Sequence, residues 1–108
     1  MQKSEKRLLE AKTKVLKALA HPTRLWITEK LEAGECCVNS LVEAIGADFS
    51  TVSKHLSVLK EAGILADEKR GKQVYYSLKV PCVLNFMSCV EEVIQNRINE
   101  QIDLLPKK

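Results

Sequence analysis

Apolar residues recur at helical spacing through the first half of the chain, and the period then changes. Over residues 3–19, Leu8, Leu9, Val15, Leu16 and Leu19 interrupt a run of Lys and Glu, which predicts an amphipathic helix. His21-Pro22 breaks it. A proline lacks an amide hydrogen and so suits the first position of a second helix, PTRLWITEKLEA, with Leu25, Trp26 and Leu31 apolar and Gly34 as its stop. In VNSLVEAIG, Val38, Leu41, Val42 and Ile45 repeat the spacing, and Gly46 ends the segment. Asp48 is placed to cap a fourth helix, FSTVSKHLSVLKEAG. Its Val52, Leu56 and Leu59 point inward, while Ser50, Thr51, Ser53, Lys54 and Ser57 lie mostly on the other faces, and Gly63 closes it.

Beyond Gly63 the period falls to two. ILADEKRGKQVYYSLKV has two extended arms around Gly71, and Val74, Tyr76 and Leu78 alternate with Tyr75, Ser77 and Lys79, as in a half-buried hairpin. Pro81 is expected to start a last helix carrying Cys82, Phe86, Cys89, Val90, Val93 and Ile94 in a broad apolar stripe, with Pro106-Lys107-Lys108 as a frayed end. The expected order is α-α-α-α-β-β-α, a mainly α fold with one β-hairpin.

The 108 residues fit one domain, 1–108, with a core small enough that dimerisation would add useful burial. Seventeen Lys and Arg against fourteen Asp and Glu leave only +3, so the placement of charge matters more than its sum. No apolar run approaches the roughly 20 residues of a membrane span, and the charged MQKSEKRLLEAKTK lacks the apolar stretch of a secretory signal. The expectation is a cytoplasmic chain. Its four cysteines then read as free thiols, metal ligands or redox sensors rather than disulfides.

Two short helices joined at Gly46, the second polar outward, followed by a basic hairpin, have the form of a helix-turn-helix with a wing. A helix entering the major groove must offer small hydroxyls and donors to base edges and phosphates, and Ser50, Thr51, Ser53 and Lys54 do so, while His55 inside the same helix reads as a DNA-binding or packing residue rather than a metal ligand. Phe49 can meet a thymine methyl or pack. No acidic residue occurs between Phe49 and Lys60. Lys69, Arg70 and Lys72 stand beside Gly71, where a phosphate backbone could be tracked. A helical core with a solvated basic hairpin would show the same pattern.

Four pieces, LKALAHPTRLWITEKL, ECCV, FSTVSKHLSVLKEAGIL and KRGKQVYYSL, resemble the ArsR/SmtB family of metal- and metalloid-responsive winged-helix repressors over about residues 12–80. The resemblance implies a homodimer formed through the first and last helices. It also implies that the dimer sits on double-stranded operator DNA and is released by a metal, a metalloid or, in some members, thiol oxidation. Phe49 departs from the polar residue often found at its position.

The family's arsenic-responsive pattern resembles E-L-C-V-C-D-L. Here ECCVNSL keeps Cys37, has Asn39 at the second cysteine and places Cys36 at the leucine. Soft thiolates select thiophilic ions, and trivalent arsenic or antimony suits so few ligands better than tetrahedral zinc. Cys36 and Cys37 are the expected ligands, with Cys82 as a third. Cys82 and Cys89, seven residues apart on one helix, would lie about 10 Å apart along the axis. Two sulfurs on one ion are at most about 4.6 Å apart, so this pair does not share one. Cys89 reads as packing and His21 as a helix cap. No cofactor is required by this reading, and no enzyme activity is expected, since no base stands beside Cys36 or Cys37 to activate a thiol. Switching by thiol oxidation or persulfide is the alternative on the same fold, and an interaction module without DNA binding is the alternative outside it.

Overall fold

The computed structural model describes residues 1–106. Five α-helices and three strands follow the order α1 (Lys3–Leu19), α2 (Pro22–Glu32), β1 (Cys36–Cys37), α3 (Val38–Ile45), α4 (Phe49–Glu61), β2 (Leu65–Arg70), β3 (Gln73–Leu78) and, after a 3-10 turn at Pro81–Leu84, α5 (Met87–Asp103). The expected winged helix-turn-helix is present. Lys107 and Lys108, part of the expected frayed end, lie outside the described residues.

Local chemistry fixes most boundaries. His21 caps α2, its Nδ1 accepting the Thr23 amide at 3.1 Å with Pro22 at the first helical position. Arg24 reaches back from α2 to take the Ala18 carbonyl at 2.7 Å, which satisfies an orphan acceptor at the end of α1. Gly46 ends α3 in the left-handed conformation at φ 75°, a state that costs a side-chain-bearing residue and turns the chain toward α4. Asp48 occupies the cap position of α4 as expected, but its carboxylate accepts the Ser50 hydroxyl at 2.8 Å rather than a first-turn amide. The Thr51 and Ser50 hydroxyls hold that carboxyl below its ordinary value.

Ile27, Leu31, Leu41, Val52, Leu56, Leu59 and Leu65 form a closed core between α2, α3, α4 and the hairpin. Val74, Tyr76 and Leu78 close its sheet side, as the period-two pattern predicts. Lys60 near the end of α4 bonds Asp67 on β2 at 2.9 Å, so the hairpin is tied to the helix that precedes it.

Two expectations are corrected. Cys36-Cys37 form a third strand, giving the sheet order β1-β3-β2, all antiparallel. Two residues are too few to show a period, and the strand exists because β3 offers it a free edge. The last helix begins at Met87 rather than Pro81. Pro81 opens a 3-10 turn, and the chain re-aims at Asn85-Phe86 before α5. Cys82 and Cys89 are therefore not on one helix.

The radius of gyration is 17.8 Å, against about 13 Å for a compact chain of this length. The excess comes from α1 and α5. No residue of α5 is buried, and α1 buries only Ala18 and Leu19 at its end. Val93 is 62 % and Ile94 54 % exposed.

Candidate nucleic-acid interface and thiol strand

The helix-turn-helix is α3 and α4, joined across Gly46 to Asp48. Packing of Val52, Leu56 and Leu59 fixes the rotation of α4, and that leaves Phe49, Ser50, Thr51 and Lys54 open to solvent on its opposite side. Phe49, at 56 % exposure, is free to meet a base methyl. Ser53 is half-buried. His55 is also half-buried, and its ring lies 4.5 Å from that of His21, tilted by 41°. Of the two roles expected for His55, DNA contact or packing, its ring takes up a packing place as a joint between α4 and the start of α2.

Burial, followed by the charge of His21 and Arg24, lowers the His55 pKa from its ordinary 6.5. A group with a lowered folded pKa takes up its proton in the unfolded chain first. Stability is therefore full above about pH 6.5 and falls as pH drops through that value toward the folded pKa. The expected loss is less than about 1.4 kcal/mol per pH unit. Thermal melts between pH 7.5 and 5.5 should show it, and His55→Asn should flatten the curve. An unchanged slope in that variant would place the acid sensitivity elsewhere.

On the hairpin, Lys69 and Lys72 are exposed on either side of the Gly71 turn, as expected of phosphate contacts. Arg70 is differently engaged. Its guanidinium forms a two-pronged pair with Glu35, bonds Glu68 at 2.9 Å and lies 4.6 Å from the Tyr75 ring centre. Arg70 holds its proton more tightly than an ordinary arginine because of these carboxylates, and Glu35 is held below the usual carboxylate range by Arg70. Its charge is matched within the chain by these two carboxylates, whereas Lys69 and Lys72 carry no such pair among the described residues.

The thiols sit on the inner edge of the wing sheet. Cys36 pairs with Tyr76 and Cys37 with Tyr75 across the β1–β3 ladder. Consecutive strand residues point to opposite faces, so the two side chains diverge. Cys36 packs against the core, with its Sγ 3.9 Å from the Gly34 carbonyl oxygen. Cys37 is the cap residue of α3, with Sγ 3.1 Å from the Ser40 hydroxyl. That hydroxyl lowers the Cys37 pKa, the arrangement of a thiolate accepting a hydrogen bond. Cys82 is exposed on the 3-10 turn and Cys89 exposed on α5. Among the described residues, no three His, Cys, Asp or Glu side chains stand together as a metal cluster. The expected trio of Cys36, Cys37 and Cys82 is not assembled within one chain as folded.

Sequence reasoning missed Glu35, Ser40 and the bond from Asn39 Nδ2 to Gln73 Oε1 at 3.2 Å. Ser40 lies three residues after Cys37, a capping distance that was visible. Glu35 and Arg70 meet only through the sheet, and no local pattern announces it.

Residues 21–67 match the profile of the bacterial regulatory proteins of the arsR family. The arsenical resistance operon repressor of Escherichia coli K12 is 45% identical over 65 residues, which is 59% of this chain and 56% of that protein. The chain spans about half the length of the first curated relatives it matches. The crystal structure of the transcriptional repressor BigR from Xylella fastidiosa superposes with a TM-score of 0.69 at 33% identity, covering 86% of this chain and 96% of that one. The homodimeric winged helix-turn-helix DNA-binding domain of a possible ArsR-family regulator from Mycobacterium bovis gives 0.76 at 28% identity, with 93% of each chain covered. With its helix-turn-helix, its wing and the short strand that precedes α3 all in place, the chain belongs to the ArsR/SmtB family of winged helix-turn-helix transcriptional regulators.

Proposed function

We propose that the protein is a homodimeric transcriptional repressor that binds operator DNA and is released when a thiophilic inducer, trivalent arsenic or antimony, is captured by Cys36 and Cys37. One observation carries the reading. The two-residue strand that holds both thiols is hydrogen-bonded to wing strand β3 and runs directly into α3, the helix that supports α4. Any ligand gathering both sulfurs must turn them to one side, and a strand cannot do that while paired. The inducer therefore has affinity for a state with β1 off the sheet and little for the paired state. Such differential affinity is what a ligand needs to shift an equilibrium.

Dimerisation is supported by the uncovered apolar residues of α1 and α5, and by the homodimeric Mycobacterium bovis relative. Two recognition helices in successive major grooves, about 34–36 Å apart, would read an inverted repeat. Sedimentation at micromolar protein is expected to show a dimer, and a 12.2 kDa species alone would remove this part of the reading. Anisotropy of labelled DNA from upstream of the protein's own gene, with and without arsenite, tests binding and release together.

The lowered pKa of Cys37 also favours a second switch at the same place. Its thiolate would attack hydrogen peroxide, breaking the O–O bond to give a sulfenic acid and hydroxide. Intact mass after mild peroxide and after arsenite separates the two inducers.

A further inference from the structure

Strand β1 is only two residues long, and side-chain ties flank it on both sides. Before it, Glu35 grips Arg70 at the end of β2 through both carboxylate oxygens. After it, Asn39 donates to Gln73 at the start of β3 at 3.2 Å. Arg70 is itself located from three directions, by Glu35, by Glu68 on its own strand and by the face of Tyr75, the residue opposite Cys37. A planar guanidinium held this way is pre-organised for one carboxylate. We infer that the Glu35–Arg70 pair is a latch: it keeps β1 on the wing and sets the threshold at which a thiol ligand can draw β1 away. Arg70 is then a positioning residue between the thiol strand and the wing. The assignment of β1 as the sensing strand rests on the function proposed above; the latch itself does not.

The latch makes β1 opening measurable without DNA or metalloid. Cys36 packs on the core while β1 is paired and is uncovered when it leaves. Iodoacetamide alkylates only the accessible thiolate, which displaces iodide to form a thioether. The pair is half-exposed, so a moderate effect is expected, as for surface ion pairs. Glu35→Gln and Arg70→Gln should each speed alkylation of Cys36 about two- to fivefold, followed by peptide mass spectrometry. The double variant should be no faster than either single, because both remove the same contact. Cys89 on α5 should react at the parent rate in all four proteins. Equal Cys36 rates in parent and singles, or multiplied rates in the double, overturn the latch.

A second arm asks whether the latch sets the inducer threshold. The arsenite concentration giving half-release from DNA should fall in both singles by the same factor as the alkylation rate rises, because a larger fraction of the protein is competent to bind. An unchanged midpoint in variants that alkylate faster overturns the threshold role. A parent that arsenite never releases removes the proposed inducer, and the alkylation ratios still decide the latch.

Discussion

Cys37→Ser is expected to keep operator affinity within about twofold of the parent and to lose release by arsenite. The serine hydroxyl is among the best helix caps, so α3 keeps its start and the helix-turn-helix its support. What is lost is the soft ligand whose thiolate is already favoured by Ser40. Coupling between an inducer and an operator typically changes affinity from about fivefold to more than a hundredfold, and this is the range the variant should erase. Cys36→Ser should do the same or weaken the response, with some loss of core packing because Cys36 lies against it. Cys89→Ser should respond as the parent does. Operator anisotropy titrated with arsenite for each variant is the measurement. Should Cys37→Ser release DNA as readily as the parent, the strand is not the sensor. The exposed thiols Cys82 and Cys89 would then take its place, the latter on the uncovered face of α5.

The distribution of these roles along the chain explains what was legible in it. Helices α1 to α4 are written in repeated apolar spacing with strong stops, and Pro22, Gly46 and Gly63 mark their ends. The wing is written in the alternation of Val74, Tyr76 and Leu78 around Gly71. Each of these signals is local. The joint between Arg70 and Glu35 is not, because it depends on β1 taking the edge of β3. The same edge changes the meaning of Cys36-Cys37. In sequence they are neighbours suited to one ion, and in a strand they face opposite ways. His55 shows a related limit. Its position in the recognition helix suits either DNA contact or packing, and only the turn of α4 set by Leu56 and Val52 shows that its ring meets His21. The break before α5 was hidden because Pro81 is as good a start for a 3-10 turn as for an α-helix.

The loss of operator affinity with salt should be the largest effect in this system, and its distribution among residues follows from the ion pairs. Lys54 on α4 and Lys69 and Lys72 at the wing tip are exposed and free of any described ion pair. If each neutralises one phosphate, a dimer releases counterions at about six sites. The logarithm of affinity then falls with the logarithm of salt at a slope near −5, or about a thousandfold between 50 and 200 mM. Replacing any of the three lysines by glutamine removes two contacts per dimer and should flatten the slope by nearly two. Arg70→Gln should leave the slope where it was, since Glu35 and Glu68 already balance that charge. Ser50 and Thr51 carry no charge, so Thr51→Ala should alter the preference among operator sequences while the slope stays fixed. Anisotropy titrations at four salt concentrations resolve these cases. An affinity indifferent to salt would overturn the placement of DNA on this face. A slope that drops with Arg70→Gln as much as with Lys72→Gln would mean that the wing surrenders its pair with Glu35 on binding, so that DNA and the thiol strand compete for one guanidinium.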